Sequence, residues 1–311
     1  MRSKSLSVVL ATAALLLFPW FFSEDAQAYK VKIDQVTIYE GETFMMDSLI
    51  SDAEFGSLRL LTSDRTVSTP TKDGALLGLG IGECVITVSD RKGTRDEINV
   101  KVVSKEDVHM VALTLDDGPG SHAMELMDFF DSRNVKVTFF LIGCDVSNYP
   151  ESVKRMVDDG HEIGNHSMNH KQLTAIKKSK ALKEIEKGAK AIKKVAGVSP
   201  TVFRPPYGDS TEAQRIAAGV PTVLWNIDTL DWKYKDADRV ANEIINGASD
   251  GNIILVHEIY KTTVEGVKTA VDKLVAKGVR FVTSTTLLTR DGSEVSDLIG
   301  QRLFSKKARK K

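Results

Sequence analysis

Residues 110–120 read MVALTLDDGPG. The apolar run 111–115 reads as a strand. It ends on two adjacent carboxylates, Asp116 and Asp117, after which Gly118-Pro119 turns the chain away. Neighbouring side chains of a strand point to opposite faces, so both carboxylates can serve one site only if the backbone bends there. Downstream, further strand-like runs occur at 135–142, 162–165, 202–204, 223–227, 253–256 and 281–283. Segments with apolar spacing near 3.6 lie between them, at 124–130, 152–157, 181–195, 211–217, 237–245 and 264–275. Strand and helix alternating over seven repeats predict an α/β fold, a parallel β-barrel with helices outside. In such barrels the reactive groups sit where the strands end.

Upstream, residues 29–107 carry short alternating runs such as Val36-Thr37-Ile38-Tyr39 and 84–88, separated by Gly and Asp clusters and without a helical period. They predict a small all-β sandwich. Residues 1–28 have a basic start (Arg2, Lys4), an apolar run of about 17 residues and an Ala26-Gln27-Ala28 end, which reads as a cleaved secretory signal peptide. The alternative is an uncleaved anchor, and either places the rest of the chain outside the cell. The expected division is therefore 1–28 signal, 29–107 β-sandwich, 108–290 α/β domain and 291–311 a basic tail. From Arg302 to Lys311 that tail has six basic and no acidic residues, suited to anionic wall polymers or lipid head groups.

The 311 residues hold 42 Lys+Arg against 42 Asp+Glu, a balance that argues against a nucleic-acid partner. Two cysteines, Cys84 and Cys144, are too few for a disulfide scaffold or a thiolate zinc site, and are read as two separate buried thiols. A metal here would need His and carboxylate ligands.

Four more clusters join Asp116-Asp117. His166-Ser167-Met168-Asn169-His170 places two imidazoles at i and i+4, on one face of a single helical turn, a spacing that suits two ligands of one ion. It lacks the Glu of HExxH, which argues against a zinc protease. Arg204-Pro205-Pro206-Tyr207-Gly208 follows a strand, and its prolines fix the directions of Arg204 and the Tyr207 amide. Asp228-Thr229-Leu230-Asp231-Trp232 and Leu255-Val256-His257-Glu258 stand at two further strand ends. Taken singly, each has a plainer reading: an acidic turn, surface histidines, a rigid loop, a core histidine.

In this order the clusters TLDDGP, HSMNH, RPPY, DTLDW and LVH resemble the motifs of the polysaccharide deacetylase family, the NodB-like carbohydrate esterases of family 4, over about residues 108–288. Leu115 stands where Phe is usual, and Glu258 where Asp is commoner. The β region, with VTIYEGETF and ECVITVSD, resembles the bacterial Ig-like group 2 module. The first resemblance implies a distorted (β/α)7 barrel. It implies that Asp117, His166 and His170 bind one divalent metal, Zn²⁺ first and Co²⁺, Mn²⁺ or Ni²⁺ next. It further implies Asp116 as general base oriented by Arg204, the Tyr207 amide as oxyanion donor, and His257 as general acid oriented by Asp231. Trp232 and Leu255 become candidate walls of an acetyl pocket. The implied activity is hydrolysis of N-acetyl groups on GlcNAc-type residues of a polysaccharide partner, peptidoglycan first, by an extracellular or wall-associated monomer. Chitin, poly-N-acetylglucosamine and acetyl-xylan are alternatives, as is a non-catalytic wall-binding protein, although no ligand position is lost.

Overall fold

The computed structural model describes residues 29–105 and 108–305. The signal-peptide expectation and the last six residues of the basic tail fall outside them. Among the described residues no helix is long and apolar enough to cross a membrane.

Residues 30–103 form an all-β unit. A four-stranded sheet runs in the order Gln35–Tyr39, Arg95–Val103, Gly82–Ser89, Arg59–Thr62, and a three-stranded sheet in the order Thr43–Met45, Ala75–Gly78, Ser68–Pro70. Period-2 alternation builds the core. Ile98, Val100 and Val102 point inward beside Ile86 and Val88, while Asn99 and Lys101 point to water.

The second unit is a curled parallel sheet, the half-barrel of a distorted (β/α)7 fold. Strand order is Ile227–Asp228, Ile253–His257, Met110–Gly118, Thr138–Leu141, Glu162–Asn165, Val202–Phe203, Thr222–Val223, Arg302–Leu303, with Arg280–Phe281 pairing beside the start of Met110–Gly118. On the central strand Val111, Leu113 and Leu115 pack against the helices, together with Leu126, Phe130, Val267 and Val271. Ala112 faces the barrel interior with Phe140, Val202, Val223 and Ile253. Thr114 and Asp116 continue that inward row.

Three expectations change. The run 223–227 is not one strand: it splits into Thr222–Val223 and Ile227–Asp228, because the Val223 and Leu224 carbonyls accept from the Arg204 guanidinium at 2.9 Å each. The stretch 291–305 is not tail. Val295–Leu298 is a 3-10 turn, Arg302–Leu303 pairs in parallel with Thr222–Val223, and Leu298 and Leu303 join the interior cluster. Cys144 is exposed at the end of its strand, and only Cys84 is buried.

The β unit docks at the end where the barrel strands begin. The Tyr39 hydroxyl donates to the Gly278 carbonyl at 2.7 Å, Arg280 pairs with Glu42, and Arg133 reaches both Asp272 at 2.9 Å and Asp47 at 3.5 Å. Ala276, at the end of the Lys261–Ala276 helix, inserts into the β core. The strand ends at Gly118, Asn165, Phe203 and His257 lie at the opposite end of the barrel, away from these contacts.

Candidate active site

At that opposite end the central strand carries the expected bend. Pairing with Thr138–Leu141 shifts register between Asp116 and Gly118, and Asp117 adopts φ 68. A bulge of this kind turns a residue that alternation would send outward. Asp117 thereby joins Asp116 on the interior side.

The segment 166–170 is not a helical turn. It is a loop with Ser167 at φ 67 and His170 at φ 51, and these two left-handed residues bring the rings to 4.9 Å centroid separation. The loop is held from outside. Glu184 on the Lys178–Ala196 helix accepts from the Asn169 amide at 2.9 Å, from its side chain and from Lys171. Asn165 Oδ1 accepts from the Ser167 amide at 3.0 Å. Gly188 lets the helix approach this closely, since a Cβ there would meet Asn165 Oδ1 at 2.5 Å and the Ser167 backbone at 2.6 Å.

Asp117, His166 and His170 converge. One ligand atom from each lies within 4.8 Å of the others, His170 Nε2 being 3.2 Å and His166 Nε2 3.5 Å from Asp117 Oδ1. That oxygen is buried without a hydrogen-bond partner. His166 Nδ1 donates to the Arg204 carbonyl at 2.7 Å, which leaves Nε2 as the free electron pair. Burial, chiefly, pushes His166 down to about 3, so the ring is neutral. An orphaned carboxylate oxygen facing two imidazoles fits a divalent cation of zinc type.

On one flank, fully buried Arg204 donates to Asp116 Oδ1 at 2.7 Å and Thr114 Oγ1 at 2.8 Å. Its guanidinium lies 4.1 Å from the Phe140 ring centroid and 5.3 Å from that of Trp225. Burial pushes the Asp116 carboxyl above its ordinary value, and Arg204 offsets part of that rise. Asp116 Oδ2 stands 3.6 Å from His166 Nε2. On the other flank, Asp231 receives the His257 amide at 2.7 Å, His257 Nδ1 at 2.8 Å and the Thr263 hydroxyl at 2.8 Å. Burial works against a charged His257, but the bond and charge of Asp231 outweigh it and the ring is pushed up to about 9.

Tyr207 sits at the rim with φ 61, its ring 4.9 Å from that of His170 and its surface 66% exposed. Trp232, 47% exposed, stands on the short Asp231–Tyr234 helix. Leu255 is buried two residues before His257, on the same row of its strand. All ten expected residues thus lie around one end of the barrel. Sequence reading missed Glu184, Thr263 and Trp225, which only the fold brings to the site, and it quoted Thr114 within TLDDGP without a role. It noted Glu258 without a role. Glu258 is buried with one oxygen accepting from the Gly120 amide at 3.3 Å, and burial pushes it up to about 8.

A family profile described as polysaccharide deacetylase matches residues 104–219. The peptidoglycan-N-acetylglucosamine deacetylase PgdA of Listeria monocytogenes is 39% identical over 197 residues, which are 63% of this chain and 41% of that protein. The peptidoglycan-N-acetylmuramic acid deacetylase PdaC of Bacillus subtilis is 36% identical over 179 residues, 57% of this chain and 38% of that one. The chain thus spans about two fifths of the length of these relatives. A peptidoglycan-N-acetylglucosamine deacetylase of Bacillus cereus is 34% identical over 188 residues, 58% of this chain and 88% of its own length. Among solved structures, PdaC superposes with TM-score 0.57 at 34% identity, covering 60% of this chain and 98% of that one. A family 4 acetyl xylan esterase from Clostridium thermocellum, in complex with a cobalt ion, gives 0.59 at 32%, covering 63% and 98%.

Proposed function

Because the chain belongs to the polysaccharide deacetylase family, we propose that it removes N-acetyl groups from GlcNAc-type residues of peptidoglycan with the help of one divalent metal ion, Zn²⁺ first. The observation that carries this reading is the convergence of Asp117, His166 and His170 between two buried pairs, Asp116–Arg204 and Asp231–His257.

The three converging residues would hold the ion, which supplies Lewis acidity to a water and to the acetamide carbonyl. Asp116 takes the proton of the attacking water. Arg204, anchored by two backbone carbonyls, keeps Oδ1 occupied and leaves Oδ2 aimed at the reacting region. The Tyr207 amide donates to the developing oxyanion. His257, held protonated at neutral pH by Asp231, gives its proton to the departing amine, a poor leaving group until protonated. Trp232 and Leu255 wall the acetyl group. The proposed base and acid stand at paired positions of neighbouring strands, Asp116 beside His257, within one site.

The all-β unit, read as an Ig-like spacer, grips the barrel by the end away from the site and leaves the opposite end for a polymer. The protein is proposed to act as an extracellular, wall-associated monomer, with the basic end of the chain adding wall contact. A second reading, ester hydrolysis on acetyl-xylan, is favoured by the likeness to the xylan esterase structure.

The test measures acetate release from peptidoglycan, chitin oligomers and acetyl-xylan side by side. Release should be greatest from peptidoglycan, abolished by a chelator and restored by metal. No release from any of the three with any metal supplied would sink the proposal.

A further inference from the structure

The His257 side of the site carries cations that the reaction above does not use. The Asp231–Tyr234 helix is one turn long and is bounded by two left-handed residues, Leu230 at φ 54 and Lys235 at φ 48. The position after a helix usually takes this conformation with glycine, and a lysine adopts it against steric resistance. The Lys235 ammonium lies over the Tyr260 ring, 4.8 Å from its centroid, and that ring is 6.4 Å from the ring of His257. Lys233 lies 5.0 Å over Tyr234. Among the described residues neither lysine has an ion pair, whereas Arg239 is paired with Glu243 and Lys261 with Glu265. Two of the nearby carboxylates have other tasks, and the exposed Asp238 makes no ion pair with either lysine among the described residues. Asp231 is taken up by His257 and Thr263, and Asp236 caps the Ala237–Gly247 helix.

An ammonium resting on an aromatic face keeps its position while its remaining N–H donors stay open. Lys235 is therefore a placed positive charge beside the proton donor, within reach of a substituent on the next sugar unit. The exposed ring of Trp232, three residues before it, offers a face for sugar stacking, whereas the Tyr234 ring is taken by Arg239 at 3.7 Å and Lys233. A neutral N-acetylglucosamine polymer has no group for such a charge. A glycan containing muramic acid has a carboxylate on its lactyl arm, or on a peptide stem attached there.

Resting on the deacetylase reading, we propose that Lys235, held over Tyr260 and assisted by Lys233, recognises a carboxylate on the sugar unit adjoining the one deacetylated. The site thereby selects muramic-acid-containing glycan over neutral N-acetylglucosamine polymers.

The test compares wild type, Lys235→Gln and Lys235→Arg, all metal-loaded, on a peptide-free MurNAc–GlcNAc tetrasaccharide, the same with peptide stems, and neutral chitotetraose. The ratio of kcat/KM between anionic and neutral substrates should fall roughly fivefold in Lys235→Gln, mainly through KM, the size an exposed ion pair supplies. Lys235→Arg should keep it. A fall with the peptide-free substrate assigns the lactyl carboxylate, and a fall only with stems assigns the stem. A ratio within twofold of wild type on both overturns the proposal. Calorimetric binding of the same oligosaccharides gives the ratio without turnover. If wild type releases no acetate yet Lys235→Gln selectively weakens anionic binding, the deacetylase reading fails and carboxylate recognition by Lys235 stands without it. If binding shows no such selectivity, this one fails.

Discussion

Burying a guanidinium without solvent is tolerable only when every face of it has a partner, and Arg204 meets that condition. A carboxylate, a hydroxyl, two backbone carbonyls and two aromatic faces surround it. Its value to the site is direction, since it holds Asp116 Oδ1 and leaves Oδ2 toward His166. Asp116→Asn should keep metal affinity while kcat falls at least about 100-fold, the usual contribution of a general base. His166→Ala should lose metal and turnover together. Metal titration beside acetate release separates the two, and near-normal turnover in Asp116→Asn would remove the base assignment. A second residue sets acid sensitivity. His161 is buried edge-on against Phe130 and Phe139, and burial, with Lys136 adding to it, pushes the ring down to about 4. The unfolded chain takes up this proton near pH 6.5, so its unfolded form binds more protons between about 6.5 and 4 and stability falls as pH falls through that window. His161→Gln should flatten that slope in urea melts at pH 7 and pH 5, by roughly 1–3 kcal/mol. An unchanged slope would assign the acid sensitivity elsewhere. The residues that converge at the barrel end were legible because each sits in a short motif at a strand end. Thr263 was not, because a lone threonine on the next helix carries no local mark of its bond to Asp231.

At the level of single elements, the HSMNH loop teaches the most. Its spacing allows a helical turn, yet tertiary contacts impose two left-handed residues instead. Glu184 alone receives the Asn169 amide and side chain from it, and the Lys171 ammonium just after it. Glu184→Ala should weaken metal binding about 10- to 100-fold, as loss of an outer partner of a ligand typically does, while far-UV dichroism stays near wild type. Wild-type affinity in that variant would show that the loop holds itself. The regular helices and the central strand were legible because apolar periodicity is local. The loop geometry was not, because it is dictated by a helix whose buried face begins about ten residues later, and neither Glu184 nor Gly188 belongs to any pattern within the motif. The bend at Asp117 could be read from sequence as a requirement. The bulge that meets it could not.

The whole molecule depends on a strand that composition hides. A Lys- and Arg-rich end reads as solvated tail, yet Leu298 and Leu303 pack beneath the sheet and Arg302–Leu303 pairs with Thr222–Val223. The signal is a few apolar residues (Val295, Leu298, Ile299, Leu303, Phe304) without alternation, too weak to register as a strand. Truncation after Glu294 should expose that neighbour strand and lower the thermal midpoint by several degrees, with destabilisation of about 2–4 kcal/mol from the lost apolar burial. An unchanged melt would mean that the pairing is marginal. The same strand sets a clock. The slot beside Thr222–Val223 cannot be filled until residue 303 has left the ribosome, whereas the β unit at 30–103 is available to fold long before. Nascent chains arrested just short of that residue should therefore remain protease-sensitive in the barrel, and those extended well beyond it should resist. A barrel timed in this way closes last, when every other strand of its sheet is already at hand.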